Sequence, residues 1–252
     1  MSALAQDVHR ALTTLSRRGI GDGQPVLDPN YRERRFGPRR NPNKTRMHDR
    51  VSASGFFASA KTGRETHAES RLEDDALTLV EAAPDVVDFE EQPPRIDLKG
   101  VEIEGHSFEH FQPDILVRLT DGSTHAISVK YLKDAVKPDV AARHLAAAQA
   151  LPPTYADSLI LWMEDFIREQ PRLDNARLVT AIDPVDEAVI ERVAKHVTSM
   201  VEPMTLEGIA RSLDLGMQGV RAAFVLFGRG RLTLSSLTPR LEPEAWVEPT
   251  NN

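Results

Sequence analysis

Gln112-Pro113-Asp114-Ile115-Leu116-Val117-Arg118-Leu119-Thr120-Asp121-Gly122-Ser123-Thr124-His125-Ala126-Ile127-Ser128-Val129-Lys130 is the stretch on which the fold turns. Two apolar runs, His110 to Leu119 and Thr124 to Tyr131, flank an Asp-Gly pair, which is the pattern of a β-hairpin. Opposed residues of an antiparallel pair share a face. A two-residue Asp121-Gly122 loop would set Asp114 against Val129 and turn Lys130 away. A three-residue loop, Asp121-Gly122-Ser123, would pair Thr120 with Thr124 and set Asp114 opposite Lys130, with Ser128 on the same face.

Outward from the hairpin, further elements follow. Leu72, Ala76, Leu79 and Val80 form the apolar stripe of a helix over about 68–82, which Pro84 ends. Val86 to Gln92 and Ile96 to Ile103 read as strands, and Pro93-Pro94 between them is a poor place for ladder pairing. A helix is expected over about 139–149, a buried strand over Ser158 to Met163, and Leu178 to Ile182 is a further strand candidate. The sum is α/β, a sheet covered by helices. From Asp186 onward the texture becomes helical. Helices are expected over 186–200, 205–213 with Thr205 as cap, and 218–227, followed by a Leu232-Thr233-Leu234 strand. Helix, turn, helix and β wing suggest a winged-helix domain. The expected organisation is an N-terminal helix (2–18) and Arg-rich arm within 1–50, with the arm's texture running on to about Lys61. A core domain over 51–184 and a winged-helix-like domain over 185–252 complete it.

Composition sets outer limits. The 252 residues are 40% apolar and 27% charged, ordinary for a globular chain, and long enough for one sizeable core or two small ones. No cysteine is present, so disulfides and thiolate zinc sites are excluded, which fits a reducing cytoplasm. No apolar run reaches bilayer-spanning length, and the charged first twenty residues do not make a secretory signal. The net charge of -7 hides a split. Arg32, Arg34, Arg35, Arg39, Arg40, Lys44, Arg46 and Arg50 form a basic arm suited to phosphate contact, while Asp74, Asp75, Glu90, Glu91, Glu102 and Glu104 make the following segment acidic, suited to a cation or a basic partner. An Arg-rich linker beside a solvated acidic face is the alternative.

Glu73, Asp114 and Lys130 are the residues with chemistry to offer. Phosphodiester hydrolysis needs charge stabilisation and a nucleophilic water at neutral pH. A hard divalent cation held by oxygen ligands supplies both. Asp114 would be the central ligand and Glu73 the second carboxylate. The Val129 carbonyl could add an oxygen, and Lys130 would orient the water or neutralise the phosphate. Read from spacing alone, Pro-Asp can equally be a turn and Lys130 an exposed edge charge. His67, His106, His110 and His125 lack zinc spacing and read as ordinary strand or loop histidines.

Several segments in order carry a resemblance. Ser54 to Lys61, Glu69-Ser70-Arg71-Leu72-Glu73-Asp74-Asp75, Phe89-Glu90-Glu91-Gln92-Pro93, Pro113-Asp114-Ile115, Val129-Lys130 and Leu173 to Leu178 together resemble the TnsA-type transposon-end endonucleases over about 50–180. The resemblance implies a PD-(D/E)xK, restriction-endonuclease-like core, a mixed sheet flanked by helices, acting on double-stranded DNA in a bacterial cytoplasm. It implies Mg²⁺, with Mn²⁺ as substitute, and cleavage of the 5′ strands at transposon ends in a Tn7-like system. A TnsB-like DDE transposase would cut the 3′ strands, and a TnsC-like AAA+ regulator is a further partner. Carried over by position, Glu73 and Asp114 are the metal carboxylates, Lys130 the catalytic lysine, and Val129 a carbonyl ligand. Where the family holds Glu or Gln two residues before the lysine, this chain holds Ser128, a shorter, neutral candidate ligand. The C-terminal domain is left between DNA contact, through Arg221 and Arg229, and docking on the regulator. A stand-alone defence nuclease and a non-catalytic adaptor on a nuclease-like core remain as rival readings.

Overall fold

A computed structural model describes residues 55–235 and 240–250. The N-terminal helix expected over 2–18 and the whole basic arm, Arg32 to Arg50, lie outside the described residues. Contacts divide the chain into two compact units, one running to Leu77 and resuming over Val86–Ile167, the other comprising Thr78–Asp85 and everything from Arg168 on.

The first unit opens with an antiparallel hairpin, β1 (Gly55–Ser59) and β2 (Arg64–Ala68). The arm-like texture expected as far as Lys61 is therefore corrected here. Phe57 and Thr66, side by side across this ladder, suit a pleated surface, and Gly63 takes the left-handed turn conformation at φ 65°. Helix α1 (Arg71–Ala82) follows, its residues from Thr78 on counted with the second unit, and the expected stripe Leu72, Ala76, Leu79 and Val80 is buried. Next come β3 (Val86–Glu91), β4 (Ile96–Asp97), β5 (Glu102–Ile103), β6 (His106–Ser107), β7 (His110–Phe111), β8 (Ile115–Leu119) and β9 (Thr124–Lys130). The long strand expected over Ile96–Ile103 is instead two short ladders, β4 with β7 and β5 with β6. Gly100, at φ 85°, turns the chain too sharply for one continuous strand, and Gly105, at φ 78°, makes the turn between β5 and β6. Likewise His110–Leu119 is interrupted at Gln112-Pro113-Asp114, where proline has no N–H to give a ladder.

The central sheet has the order β10-β9-β8-β3, where β10 is Ser158–Met163. β3, β8 and β9 are antiparallel in turn, and β9 and β10 are parallel. A parallel pair needs a crossover, which α2 (Leu132–Ala135) and α3 (Pro138–Ala150) provide. The result is an α/β unit with a mixed sheet flanked by helices. Pro138 opens α3 at a position whose N–H would go unpaired anyway. The alanines of α3 let it approach the sheet closely: Ala146 and Ala147 pack with Leu116, Ala126 and Leu159, and Ala141 with Leu161 and Met163. Ala126 to Val129 are buried without interruption, the mark of a strand covered on both faces. A short helix, α4 (Glu164–Ile167), closes the unit.

The second unit contains α5 (Arg172–Thr180), α6 (Glu187–Thr198), β11 (Met204–Thr205), α7 (Leu206–Ser212), α8 (Gly216–Gly228), β12 (Leu232–Leu234) and β13 (Trp246–Pro249). The strand candidate over Leu178–Ile182 is overturned: its first three residues belong to α5. The decisive spacing there is Leu173 and Ala176, buried three residues apart, which outweighs the β-branched Val179 and Thr180. Asp186 caps α6 through Ala188 N–H at 2.9 Å, and Thr205 caps α7 through Gly208 N–H at 2.9 Å. The core joins Ile190, Val193 and Val197 of α6 to Leu206 and Ile209 of α7 and Val220 and Phe224 of α8. Its sheet runs β11-β13-β12, all antiparallel. No helix among the described residues is long and apolar enough to cross a membrane.

Candidate active site

The β8–β9 register brings Asp114 and Lys130 together by a different pairing from the one expected. Ile115 faces Ile127 and Arg118 faces Thr124, so one step further Asp114 faces Ser128, and Lys130 is its diagonal neighbour. The loop does have three residues, Thr120-Asp121-Gly122, but Leu119 and Ser123 close it through Leu119 N–H to Ser123 O at 2.8 Å. Gly122, at φ 88°, supplies its left-handed position. The expected Asp121-Gly122-Ser123 loop was displaced by one residue, because Ser123 is drawn to Asp121, whose Oδ1 accepts from Ser123 N–H at 2.9 Å and Ser123 Oγ at 2.6 Å. The pairing therefore shifts by two, and the shared face survives.

Asp114 lies just before β8, its N–H given to the Ile127 carbonyl at 2.9 Å. Its Oδ2 accepts from Val129 N–H at 2.6 Å, Ser128 Oγ at 3.1 Å and Lys130 Nζ at 3.4 Å. All three donors converge on Oδ2. Lys130 Nζ also donates to the Val129 carbonyl at 2.9 Å. The lysine side chain is 31% exposed and the aspartate 13%, so the ion pair sits at the rim of the core, half in water.

Glu73 comes from the first turn of α1. Ser70 is the N-cap: its Oγ accepts from Glu73 N–H at 3.2 Å and donates to Glu73 Oε1 at 3.1 Å. Glu73 Oε2 reaches back to Glu69 N–H at 2.9 Å. This resembles a capping box, with the return bond landing on the N–H one residue before the cap, and the Ser70-x-x-Glu73 spacing in the sequence is its signal. Burial, and then the negative charge of Asp114, push the Glu73 carboxyl up to about 7 from an ordinary 4.5. A buried carboxyl held in its neutral form beside a second carboxylate is an arrangement that a cation relieves. Among the described residues, no three His, Asp or Glu side chains form a ready metal cage. Any cation here would be completed by backbone oxygen and water.

Ser128 is fully buried and its hydroxyl is engaged on two sides, by Asp114 and by Nε2 of His144 at 2.9 Å. His144, from α3, went unnoticed in the sequence. It is 1% exposed, its Nδ1 lies 2.7 Å from the Val140 carbonyl, and Phe111 stands edge-on to its ring at 5.0 Å. Burial depresses its pKa to about 4. An alanine-rich helix gives no periodic hint that one of its turns carries a histidine into the site. His125 instead bridges Ser123 Oγ at 3.0 Å and Ser158 Oγ at 2.8 Å.

In the second unit, Arg229 is held by Glu187 at 2.8 and 3.1 Å, and Arg221 stands 3.7 Å from Asp183. Both expected phosphate contacts already have carboxylate partners. No protein-family model matches the chain, and no curated protein matches it at a significant level.

Proposed function

We propose that the protein is a Mg²⁺-dependent DNA endonuclease subunit of a heteromeric, TnsA-like transposase, cleaving the 5′ strands at transposon ends. The observation that carries this reading is the convergence of Asp114, the Val129 backbone and Lys130 beside the repelled carboxyl of Glu73. The donor chemistry fits a hard cation, since the available ligands are carboxylate and carbonyl oxygens. Glu73, Asp114 and the Val129 carbonyl would hold the ion, which when bound supplies an activated water and stabilises phosphoryl charge. Val129 N–H anchors Asp114 through Oδ2, which leaves Oδ1 to the ion. Ser70 and Glu69 N–H hold Glu73 by the cap. Lys130, tethered to the Val129 carbonyl, carries the positive charge that faces the scissile phosphate or orients the attacking water.

The mixed sheet flanked by helices supports the PD-(D/E)xK reading of the first unit. In the second, helix, strand, two helices and two strands, with the first strand pairing to the last, support a winged-helix reading. The carboxylate partners of Arg221 and Arg229 favour docking on a protein, of the AAA+ regulator kind, over phosphate contact by this domain. DNA would then reach the nuclease through the basic arm and through a DDE transposase partner. The test is a nicking assay on duplex DNA with Mg²⁺ or Mn²⁺, with and without that partner. Metal-dependent nicking lost on chelation is expected. Cleavage insensitive to chelation, or no cleavage under any of these conditions, refutes the proposal.

A further inference from the structure

Ser128 holds one hydroxyl proton between two acceptors. The Val140 carbonyl, 2.7 Å from Nδ1 of His144, can only accept, so Nδ1 carries the ring proton. The ring is 1% exposed, packed against Phe111 and without water to solvate an imidazolium, so Nε2 keeps its lone pair. That lone pair lies 2.9 Å from Ser128 Oγ, and Asp114 Oδ2 lies 3.1 Å from the same oxygen. Phe111 against the ring and the bond to Val140 fix the imidazole in place. The hydroxyl can rotate about its C–O bond, whereas the ring and the Val129 amide cannot turn away.

We infer that His144 is a positioning residue of the carboxylate site: its Nε2 accepts the hydrogen bond of the Ser128 hydroxyl when a divalent cation occupies Asp114, and the hydroxyl, keeping its proton, donates to Oδ2 again when the cation leaves. The inference rests on the metal-site reading above. A hydroxyl donating to Oδ2 competes with a cation for the charge of the carboxylate. With Nε2 as an alternative acceptor, Ser128 withdraws that competition by rotation, with no change in ionisation. Val129 N–H, 2.6 Å from Oδ2, keeps the carboxylate oriented throughout. Without His144 the proton has only Asp114 to go to. Partners that hold metal ligands in this manner typically change metal affinity about 10- to 100-fold when removed.

Two measurements on the full chain test this. In the metal-free protein, imidazole ¹⁵N NMR at pH 7 is expected to show His144 as the neutral Nδ1–H tautomer. An Nε2–H tautomer or an imidazolium overturns the inference whether or not metal binds. Mn²⁺ affinity, followed by EPR, is then compared for His144→Gln, whose side-chain carbonyl can accept in place of Nε2, and His144→Leu, which cannot. Affinity within about threefold of wild type is expected for His144→Gln, and a loss of about tenfold or more for His144→Leu. In a Ser128→Ala background, His144→Leu is expected to cause no further loss. An equal loss in both backgrounds, or a His144→Gln protein as weak as His144→Leu, overturns the inference while leaving the metal site standing. A wild-type protein that binds no Mn²⁺ overturns both.

Discussion

Glu73 stands in the field of Asp114: burial first, and then the Asp114 charge, lift the glutamate from 4.5 to about 7. A group whose pKa is higher folded than unfolded stabilises the fold below its unfolded value and loses that contribution as pH rises through the folded one. Metal-free protein is thus expected to lose stability between about pH 4.5 and 7 through this one residue. Glu73→Gln has no such ionisation and keeps an oxygen for Glu69 N–H. Its Tm should exceed that of wild type by a margin that widens from pH 5 to pH 8 in EDTA. Adding Mg²⁺ at pH 8 should narrow the margin by stabilising wild type. A margin independent of pH would show that Glu73 ionises normally.

Lys130 is part-exposed and, among the described residues, bonds the Val129 carbonyl and Asp114, so it can be changed without opening the core. Lys130→Met is expected to fold, to bind Mn²⁺ within a few-fold of wild type, and to lose about 10²-fold or more in cleavage rate. Thermal melts, EPR and strand cleavage on the same preparation separate these outcomes.

Ser70 has two bonds to Glu73. Ser70→Ala should cost about 1 kcal/mol as a lost N-cap, read as a lower midpoint in urea. Because Glu73 loses a donor that fixes its rotamer, cleavage should fall by more than the stability change explains. Ser70→Thr, which keeps the hydroxyl, should restore both.

Particular residues show what could be read ahead of the structure. Pro113-Asp114 and Val129-Lys130 around Asp121-Gly122 were sufficient to put a carboxylate and a lysine on one face, because strand parity tolerates a register shift of two. The pairing itself was misassigned, since the pull of Asp121 on Ser123 is side-chain chemistry that loop length does not express. Leu72, Ala76, Leu79 and Val80 gave the buried face of α1 directly. The strand candidate over Leu178–Ile182 fails because a short apolar run is ambiguous between strand and helix, and the buried Leu173–Ala176 spacing just before it carries the helix through Thr180. His144 had no local signature at all: its role exists only because the β9–α3–β10 crossover lays one turn of α3 over Ser128.

Gly219 offers a test confined to the second unit. A Cβ there would lie 2.8 Å from the Cβ atoms of Ala210 and Leu215 and 2.9 Å from the Ala210 Cα. Alanine favours helix over glycine by about 1 kcal/mol, but overpacking costs about 1–3 kcal/mol, and backbone cannot yield as a side-chain tip can. Gly219→Ala is expected to lower the stability of this unit in a denaturant melt. Mn²⁺ binding by the first unit should be unchanged. A stabilised variant would mean that α7 and α8 are not so closely packed.

The central claim is that Asp114 organises a metal-dependent centre that cuts one DNA strand. It is tested most directly by strand-resolved cleavage of end-labelled duplex carrying the element's own termini, with Mg²⁺ and the DDE transposase present. Wild type should cut the 5′ strands. Asp114→Ala should lose those cuts while the transposase's 3′ cuts continue. Undiminished 5′ cleavage by Asp114→Ala would contradict the claim.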